Sequence, residues 1–337
     1  MTLHGLTGLQ NLGNTCFLNS CMQALSNTGQ ITSTLSDAIV NTEKNKDECL
    51  FLKEWSDLHK LMWEKNCIIS PARFIKTVQH VAQRKDKQLF TGFAQNDLPE
   101  YLLFMLECFH NATARQVIIN ITGTKKDERD DLAIQCYSFV KSEYEKGFSP
   151  ILKNFSTISL STITDKDGKT MSVKPEFLLM IDLPIPSQRT VTLNDCFKEY
   201  CVKECLDGDN MWFNDKTNEK QVAYKCYTFW SLPDFLIVTL KRFNSGVRKI
   251  QTLINIPLNE IDLSDYVVGY NKNDFKYELY AICNHHGSVY GGHYTANVKK
   301  EGKWFNYNDT IIRELPESNV ITNEAYCLFL KKKLSNI

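Results

Sequence analysis

Apolar residues recur along this chain with two periods, and the change of period divides it. Phe17, Leu18, Cys21, Met22 and Leu25 return every three to four positions, which predicts an amphipathic helix. Residues 50–65 (LFLKEWSDLHKLMWEK) repeat that spacing. Residues 97–110 (DLPEYLLFMLECFH) carry their own helix start. Asp97 is the expected N-cap, Pro99 sits in the first turn, and Glu100 is placed to close a capping box. Beyond about residue 155 the period falls toward two. FSTISLSTI alternates as a half-buried strand does, and EFLLMIDLPIP, FLIVTLKRF, YELYAICNHH, HYTANVKK, KWFNYND and AYCLFLKKK are strand-length runs. Residues 187–230 mix a short helix near 192–205, a polar WFNDKTNEKQ stretch and the run VAYKCYTFW. Helices first and strands later predict an α+β fold with an antiparallel sheet. No repeat, low-complexity tract or linker interrupts the chain, so residues 1–337 are expected to form a single domain.

Composition narrows the function classes. Of 337 residues, 43% are hydrophobic and 23% charged, which excludes disorder of the whole chain. Lys+Arg and Asp+Glu number 39 each, a net charge of +0. That balance offers no general attraction to nucleic acid or anionic membrane, and neither is expected as a partner. No apolar run reaches the roughly 18 residues that a crossing helix needs. The start, MTLHGLTGLQNLGNTC, lacks the apolar region of a signal peptide, so a cytosolic or nuclear monomer is expected. The 12 cysteines then read as thiols rather than a disulfide framework.

One of those thiols sits where chemistry is possible. Cys16 follows a stretch, Gly8 to Thr15, too rich in Gly and Asn for helix, and immediately precedes the helix from Phe17. A helix N-terminus stabilises a thiolate, as a nucleophilic cysteine requires. Taken alone, the position also fits a buried Cys beside a loop. A base is needed, and His285, His286 and His293 cluster in NHHGSVYGGHYTA, whereas His4, His59, His80 and His110 sit in helical or terminal contexts. Gly291 and Gly292 allow close backbone approach, and His293 opens a strand-like run. A surface hairpin would look the same. A third group should orient the imidazole, and KWFNYNDTII ends a run in Asn308 and Asp309, which alone is an ordinary turn signal. Asn11 could return its amide to the nucleophile as an oxyanion donor. The joint order Cys, His, Asn/Asp is that of a papain-type thiol hydrolase.

These residues carry a family resemblance. Gly8-Leu9-Gln10-Asn11-Leu12-Gly13-Asn14-Thr15-Cys16-Phe17-Leu18-Asn19-Ser20 resembles the cysteine box of the ubiquitin-specific proteases. Tyr277 to Ala281, His285, Gly287 and Gly291-Gly292-His293-Tyr294-Thr295-Ala296 resemble their histidine box, and Trp304 to Asp309 the strand with their third triad residue. Gln95-Asn96-Asp97-Leu98-Pro99-Glu100-Tyr101 and Leu232-Pro233 through Leu240-Lys241-Arg242-Phe243 are similar to two further motifs. The resemblance implies a papain-like thumb–palm–fingers fold, with the thumb over about 8–150, fingers and part of the palm over 151–230, and the palm over 231–332. It implies a thiol hydrolase acting after the C-terminal Gly-Gly of ubiquitin, with ubiquitin and ubiquitinated proteins as partners. Cys16 would be the nucleophile, His293 the base, Asn308 the orienting residue, Asp309 its polar support and Asn11 the oxyanion donor. Asp97, Gln95, Gly291, Gly292 and Tyr294 would bind the extended tail. A protease for another Gly-Gly modifier, or a non-catalytic ubiquitin-binding module, would share most of these features.

The chain also departs from that family. Members typically carry two Cys-x-x-Cys pairs holding zinc in the fingers. Here those positions read Ile163-Thr164-Asp165-Lys166-Asp167-Gly168 and Trp212-Phe213-Asn214-Asp215-Lys216. Cys196, Cys201, Cys205 and Cys226 lie nearby without paired spacing, although Cys201 and Cys205 could share one helical face. No metal or other cofactor is expected. Trp212, Phe213, Tyr227, Phe229 and Trp230 are the apolar groups expected to hold the fingers instead. With the cysteine box starting at residue 8, no flanking module is expected.

Overall fold

The computed structural model describes residues 3–29, 34–243, 248–288 and 290–333. The first half is helical: α1 (Cys16–Ser26), α2 (Lys46–Glu64), α3 (Ala72–Arg84), α4 (Leu98–Thr113), α5 (Glu128–Gly147) and α6 (Pro150–Phe155). Among its described residues the only strands are the short parallel pair β1 (Gly8–Leu9) and β2 (Ile68–Ile69). The amphipathic pattern of α1 understates its burial. Every residue of this helix is buried, including Asn19, Ser20, Gln23 and Ser26, because α4 covers one side and the central sheet the other. Polar side chains on all-round buried helices need partners: Gln23 donates to Thr7 O, Ser26 to Gln23 O, and Asn19 to Asp309 beside the active site.

The start of α4 corrects one expectation. Asp97 is the N-cap residue, but its side chain makes no capping bond, so no capping box forms. The carboxylate turns away from its own helix into a cleft.

The second half supplies two sheets. The finger sheet has the order β4 (Thr170–Leu178), β3 (Thr157–Thr164), β10 (Ala223–Ser231), β7 (Glu204–Leu206), all antiparallel. A separate parallel pair joins β6 (Val191–Thr192) to β12 (Ile254–Asn255). The larger sheet runs β17 (Ile311–Leu315), β16 (Lys303–Asn308), β15 (Gly291–Lys300), β14 (Lys276–Ser288), β18 (Ala325–Lys332), β11 (Phe235–Leu240), β5 (Ile181–Leu183), with β13 (Ile261–Asp262) pairing β14 off this path. It is antiparallel except that β5 joins β11 in parallel. All six residues of β11 are buried, as expected of a strand covered on both faces. One face packs Ala281, Cys283, Cys327 and Phe329 under α1 and the other helices. The opposite face packs Ile282, Leu328 and Val238 against α7 (Leu193–Tyr200) through Phe197. A smaller core joins Ala133 and Cys136 of α5 to Leu160 and Trp230.

The fingers differ from their sequence reading in three ways. The polar WFNDKTNEKQ stretch folds as a hairpin of β8 (Trp212–Asn214) and β9 (Glu219–Gln221). Cys201 and Cys205 share no helical face, since α7 ends at Tyr200 and Cys205 lies in β7. Phe213 packs no core: it is 45% exposed, on the outer face of a two-stranded hairpin. The other aromatics are engaged, Tyr227 and Phe229 against Tyr200, and Trp230 against Tyr137 and Tyr270.

Candidate active site

The loop before α1 is shaped by one side chain. Asn11 Oδ1 accepts from the backbone N–H groups of Gly13 and Thr15, both at 3.1 Å. Thr15 Oγ1 accepts from Leu12 N at 2.9 Å. This turn delivers Cys16 as the first residue of α1, with its side chain only 3% exposed. Against burial, the strongest pull toward the thiolate comes from Tyr294 N–H, and the N–H groups of Phe17 and Cys16 at the helix N-terminus add to it. Burial outweighs them and, with the nearby Asp309 charge, holds the thiol above its ordinary value of 9.0. The resting nucleophile is therefore a thiol, contrary to the simple helix-dipole expectation.

His293 stands near the start of β15. Its Nε2 donates to Asn308 Oδ1 at 2.7 Å, at the end of the neighbouring β16. With Nε2 carrying that hydrogen, Nδ1 is left as the basic nitrogen. Among the described residues, no hydrogen bond joins the Cys16 thiol to the His293 ring. Asp309 follows in the left-handed region at φ 50°. Its two carboxylate oxygens accept from two amides, Oδ2 from Asn11 Nδ2 at 3.0 Å and Oδ1 from Asn19 Nδ2 at 2.7 Å. Its backbone oxygen accepts from Leu9 N at 2.9 Å. The turn after β16 is thus tied to both sides of the nucleophile loop.

A cleft of about 410 Å³ opens over Cys16, walled by Gln95, Asp97, His285, Tyr294 and Tyr326. It shares Asp97, Phe243 and Tyr326 with a second cleft of about 580 Å³ running along β11 and the end of β4. Asp97 Oδ1 accepts from Tyr326 Oη at 2.9 Å and Tyr294 Oη at 3.3 Å. Burial raises the pKa of this carboxyl, and the two hydroxyls draw it back only in part. Gln95 bridges the walls, accepting from Gly292 N at 2.9 Å and donating to Gly292 O at 3.1 Å. Gly292 has no room for a side chain: a Cβ would stand 2.3 Å from His286 O and 2.4 Å from His285 Nε2. Gly291, too, lies against Gln95 Oε1.

The fold thus gathers every residue singled out from the sequence: Cys16, His293, Asn308, Asp309 and Asn11 at one end, Asp97, Gln95, Gly291, Gly292 and Tyr294 along the cleft. Sequence reasoning passed over Asn19 and Tyr326. Asn19 carried a signal, being an amide one helical turn from Cys16, whereas Tyr326 was one aromatic in an ordinary apolar strand. The other clustered histidines separate. His286 is exposed and bonds Glu324 at 2.5 Å. His285 is buried, with its pKa pulled down to about 4 by burial and then by Lys249, so it stays neutral. Among the described residues, no group of three or more His, Cys, Asp and Glu could hold a metal ion. The finger turns use their polar groups internally: Asp165 Oδ1 accepts from Asp167 N and Lys169 N, and Asn214 Oδ1 from Lys216 N. Those residues do not fit a zinc site.

A cleft between a helical half and an antiparallel palm, with a cysteine opening the central helix and a His–Asn pair on facing strands, defines the papain-like class of fold. Residues 7–330 match the family model described as ubiquitin carboxyl-terminal hydrolase, and the chain belongs to that family. Among its relatives are ubiquitin carboxyl-terminal hydrolase 2 of Homo sapiens, 31% identical over 343 residues, and of Bos taurus, 30% identical over 340. Each alignment covers 96% of this chain and 55% of the relative, so the chain spans about half the length of these curated relatives. A probable ubiquitin carboxyl-terminal hydrolase of Acanthamoeba polyphaga mimivirus is 26% identical, over 97% of this chain and 90% of its own. Among solved structures, a chain of the SAGA Ubp8/Sgf11/Sus1/Sgf73 DUB module bound to ubiquitin aldehyde superposes with a TM-score of 0.71 at 23% identity. That match covers 99% of this chain and 70% of the other. The likeness extends to the whole fold.

Proposed function

We propose that this chain is a thiol deubiquitinase that hydrolyses the peptide or isopeptide bond after the C-terminal Gly-Gly of ubiquitin. The observation that carries it is the His293–Asn308 bond together with a helix-initiating Cys16 that lines the cleft. His293 Nδ1 takes the thiol proton, and the sulfur attacks the carbonyl carbon of the terminal glycine. The negative charge that develops on the carbonyl oxygen falls to Asn11 Nδ2 and the first N–H groups of α1. An amide nitrogen has two hydrogens, so Asn11 can hold Asp309 with one and the oxyanion with the other. His293 returns its proton to the departing amine, leaving a thioester. Water, deprotonated by His293, then releases the ubiquitin carboxylate and restores the thiol.

The tail is read by the cleft. Gln95, Gly291, Gly292 and Tyr294 line it beside Cys16, a place for the side-chain-free Gly-Gly end of the tail, and Asp97 offers an acceptor to the tail's backbone. Ubiquitin and its conjugates are the partners in this reading, and the enzyme acts as a monomer without nucleic acid or membrane. The experiment is reaction with a panel of modifiers bearing C-terminal electrophiles, followed by peptide mapping. A ubiquitin adduct on Cys16 supports the reading. An adduct formed solely with another Gly-Gly modifier transfers it to that substrate, and ubiquitin binding without any adduct would leave a binding module.

A further inference from the structure

Asn19 is an unexpected residue where it stands. Asparagine is a poor helix former, since its amide competes for backbone groups, yet it occupies the first turns of α1 at 2% exposure. Its Nδ2 has three oxygen neighbours: Asp309 Oδ1 at 2.7 Å, Gln10 O at 3.3 Å and Leu9 O at 3.4 Å. Its own Oδ1 is buried without a partner. That arrangement fixes the amide orientation, because the reversed amide would set one oxygen against three. An orphaned buried acceptor costs stability, so the donor side must return something. Among the described residues no Lys, Arg or His pairs with the Asp309 carboxylate, which is held by Asn11 and Asn19. Of the two, Asn11 lies in the exposed loop, whereas Asn19 belongs to the most buried helix of the molecule.

We propose that Asn19 is a positioning residue for the reaction. It clamps the Asp309 carboxylate to the nucleophile helix, so that Asp309 in turn presents Asn11 and keeps a constant distance from the Cys16 sulfur. The proposal rests on the hydrolase reading for its effect on turnover, but not for its effect on the thiol. Asn19 touches no reacting atom and acts only through Asp309.

A double-mutant cycle of Asn19→Ala and Asp309→Ala in the whole chain tests this, read in two ways. The first follows Cys16 alkylation by iodoacetamide against pH, with peptide mapping. Removing the Asp309 charge moves the profile to lower pH. Asn19→Ala is expected to move it the same way, and the double variant no further than Asp309→Ala. The second measures hydrolysis of a ubiquitin C-terminal aminocoumarin amide. Asn19→Ala should lower kcat by about 10–100-fold, the loss seen when the outer partners of metal ligands are removed and expected here by analogy, with KM within about twofold. In the Asp309→Ala background it should cost less than about twofold more. Losses that multiply, or an Asn19→Ala thiol profile identical to wild type, overturn the proposal. Asn19→Asp keeps the shape and loses the donor, so a wild-type thiol profile in that variant would also overturn it. If Asn19→Ala does not fold, Asn19→Ser, which keeps a small donor with shorter reach, enters the same cycle under the same criteria. If the thiol profiles couple but the wild type hydrolyses nothing, the positioning role stands and the deubiquitinase reading falls.

Discussion

The side-chain amide of Gln95 pairs with both backbone polar groups of Gly292, as a peptide group on a neighbouring strand would. β16 pairs with β15 only as far as Ala296, so among the described residues no strand lies beside β15 from Gly292 to Tyr294 on the side away from β14. Tyr294 N–H on that edge points at the Cys16 thiol. Gln95 therefore fills the place that an extended substrate tail would take by adding to the edge. Two such bonds contribute about 2 kcal/mol net, equivalent to about 30-fold in the open population. Gln95→Ala is expected to speed alkylation of Cys16 by iodoacetamide by up to that factor. Peptide-resolved alkylation rates measure it, and an unchanged or slower rate would show that the bridge does not close the cleft.

Two adjacent residues should respond oppositely to exchange between amide and acid. Asn308 presents one oxygen to His293, and a carboxylate can present the same, so Asn308→Asp should retain most of kcat while Asn308→Ala loses on the order of 10³–10⁴-fold, as when a triad loses its orienting member. Asp309 uses both oxygens, each on a different amide. Asp309→Asn would set an NH₂ against the NH₂ of Asn11 or Asn19, although Asn tolerates the φ of 50° without strain. It should therefore cost more than Asn308→Asp. Steady-state kinetics on the three single variants decide it, and the reverse order would remove the two-amide role of Asp309.

How much of this was legible beforehand follows from the physics of each feature. Local signals were readable: the helix after Cys16, the β-runs and the order of motifs depend on neighbours in sequence. The burial of α1 was not, because a 3.6-residue pattern reports one apolar face and says nothing of a sheet covering the polar one. The capping box at Asp97 was read from a local rule. Tyr294 and Tyr326, far along the chain, redirected that carboxylate. The β8–β9 hairpin escaped because its strands are only three residues each and β9 is wholly polar. The thiol state of Cys16 likewise required its burial, which no spacing reveals.

The core thiols predict how stability depends on pH. Cys21, Cys108, Cys283 and Cys327 are all 0% exposed, and burial pushes each far above the ordinary 9.0. Above pH 9 the unfolded chain gives up these protons while the folded chain keeps them. The folded state then binds more protons, so stability is intact below the unfolded value and is lost as pH rises past it. Each thiol contributes a slope of about 1.4 kcal/mol per pH unit well above 9. Urea unfolding at pH 8 and pH 10 should show the fall, and Cys108→Ala should make it shallower by about one thiol's share. An equally steep fall in that variant would assign the loss to other groups.

The last prediction concerns zinc, for which the sequence resemblance implies two cysteine pairs in the fingers that this chain lacks. A closed structural site needs four ligands within tetrahedral reach. At the corresponding turns this chain has Asp165, Lys166, Asn214 and Asp215, and the oxygens of Asp165 and Asn214 already accept the backbone N–H groups that shape those turns. Lys166 offers no lone pair at neutral pH. Stability must come from elsewhere. Tyr200 stacks on Phe229 with ring centroids 5.8 Å apart and lies 5.4 Å from Tyr227, anchoring β10 at the base of the fingers. Because a structural metal supplies folding energy, its removal from a zinc finger subdomain would lower the melting temperature, whereas apolar packing is indifferent to chelators. The purified protein is therefore expected to contain no stoichiometric zinc and to keep its activity and melting temperature in excess EDTA. Elemental analysis giving about one zinc per chain, together with a melting transition lowered by chelator, would defeat this. Cys201, Cys205 and Cys226, the least buried thiols of the region, would then be the first ligands to replace.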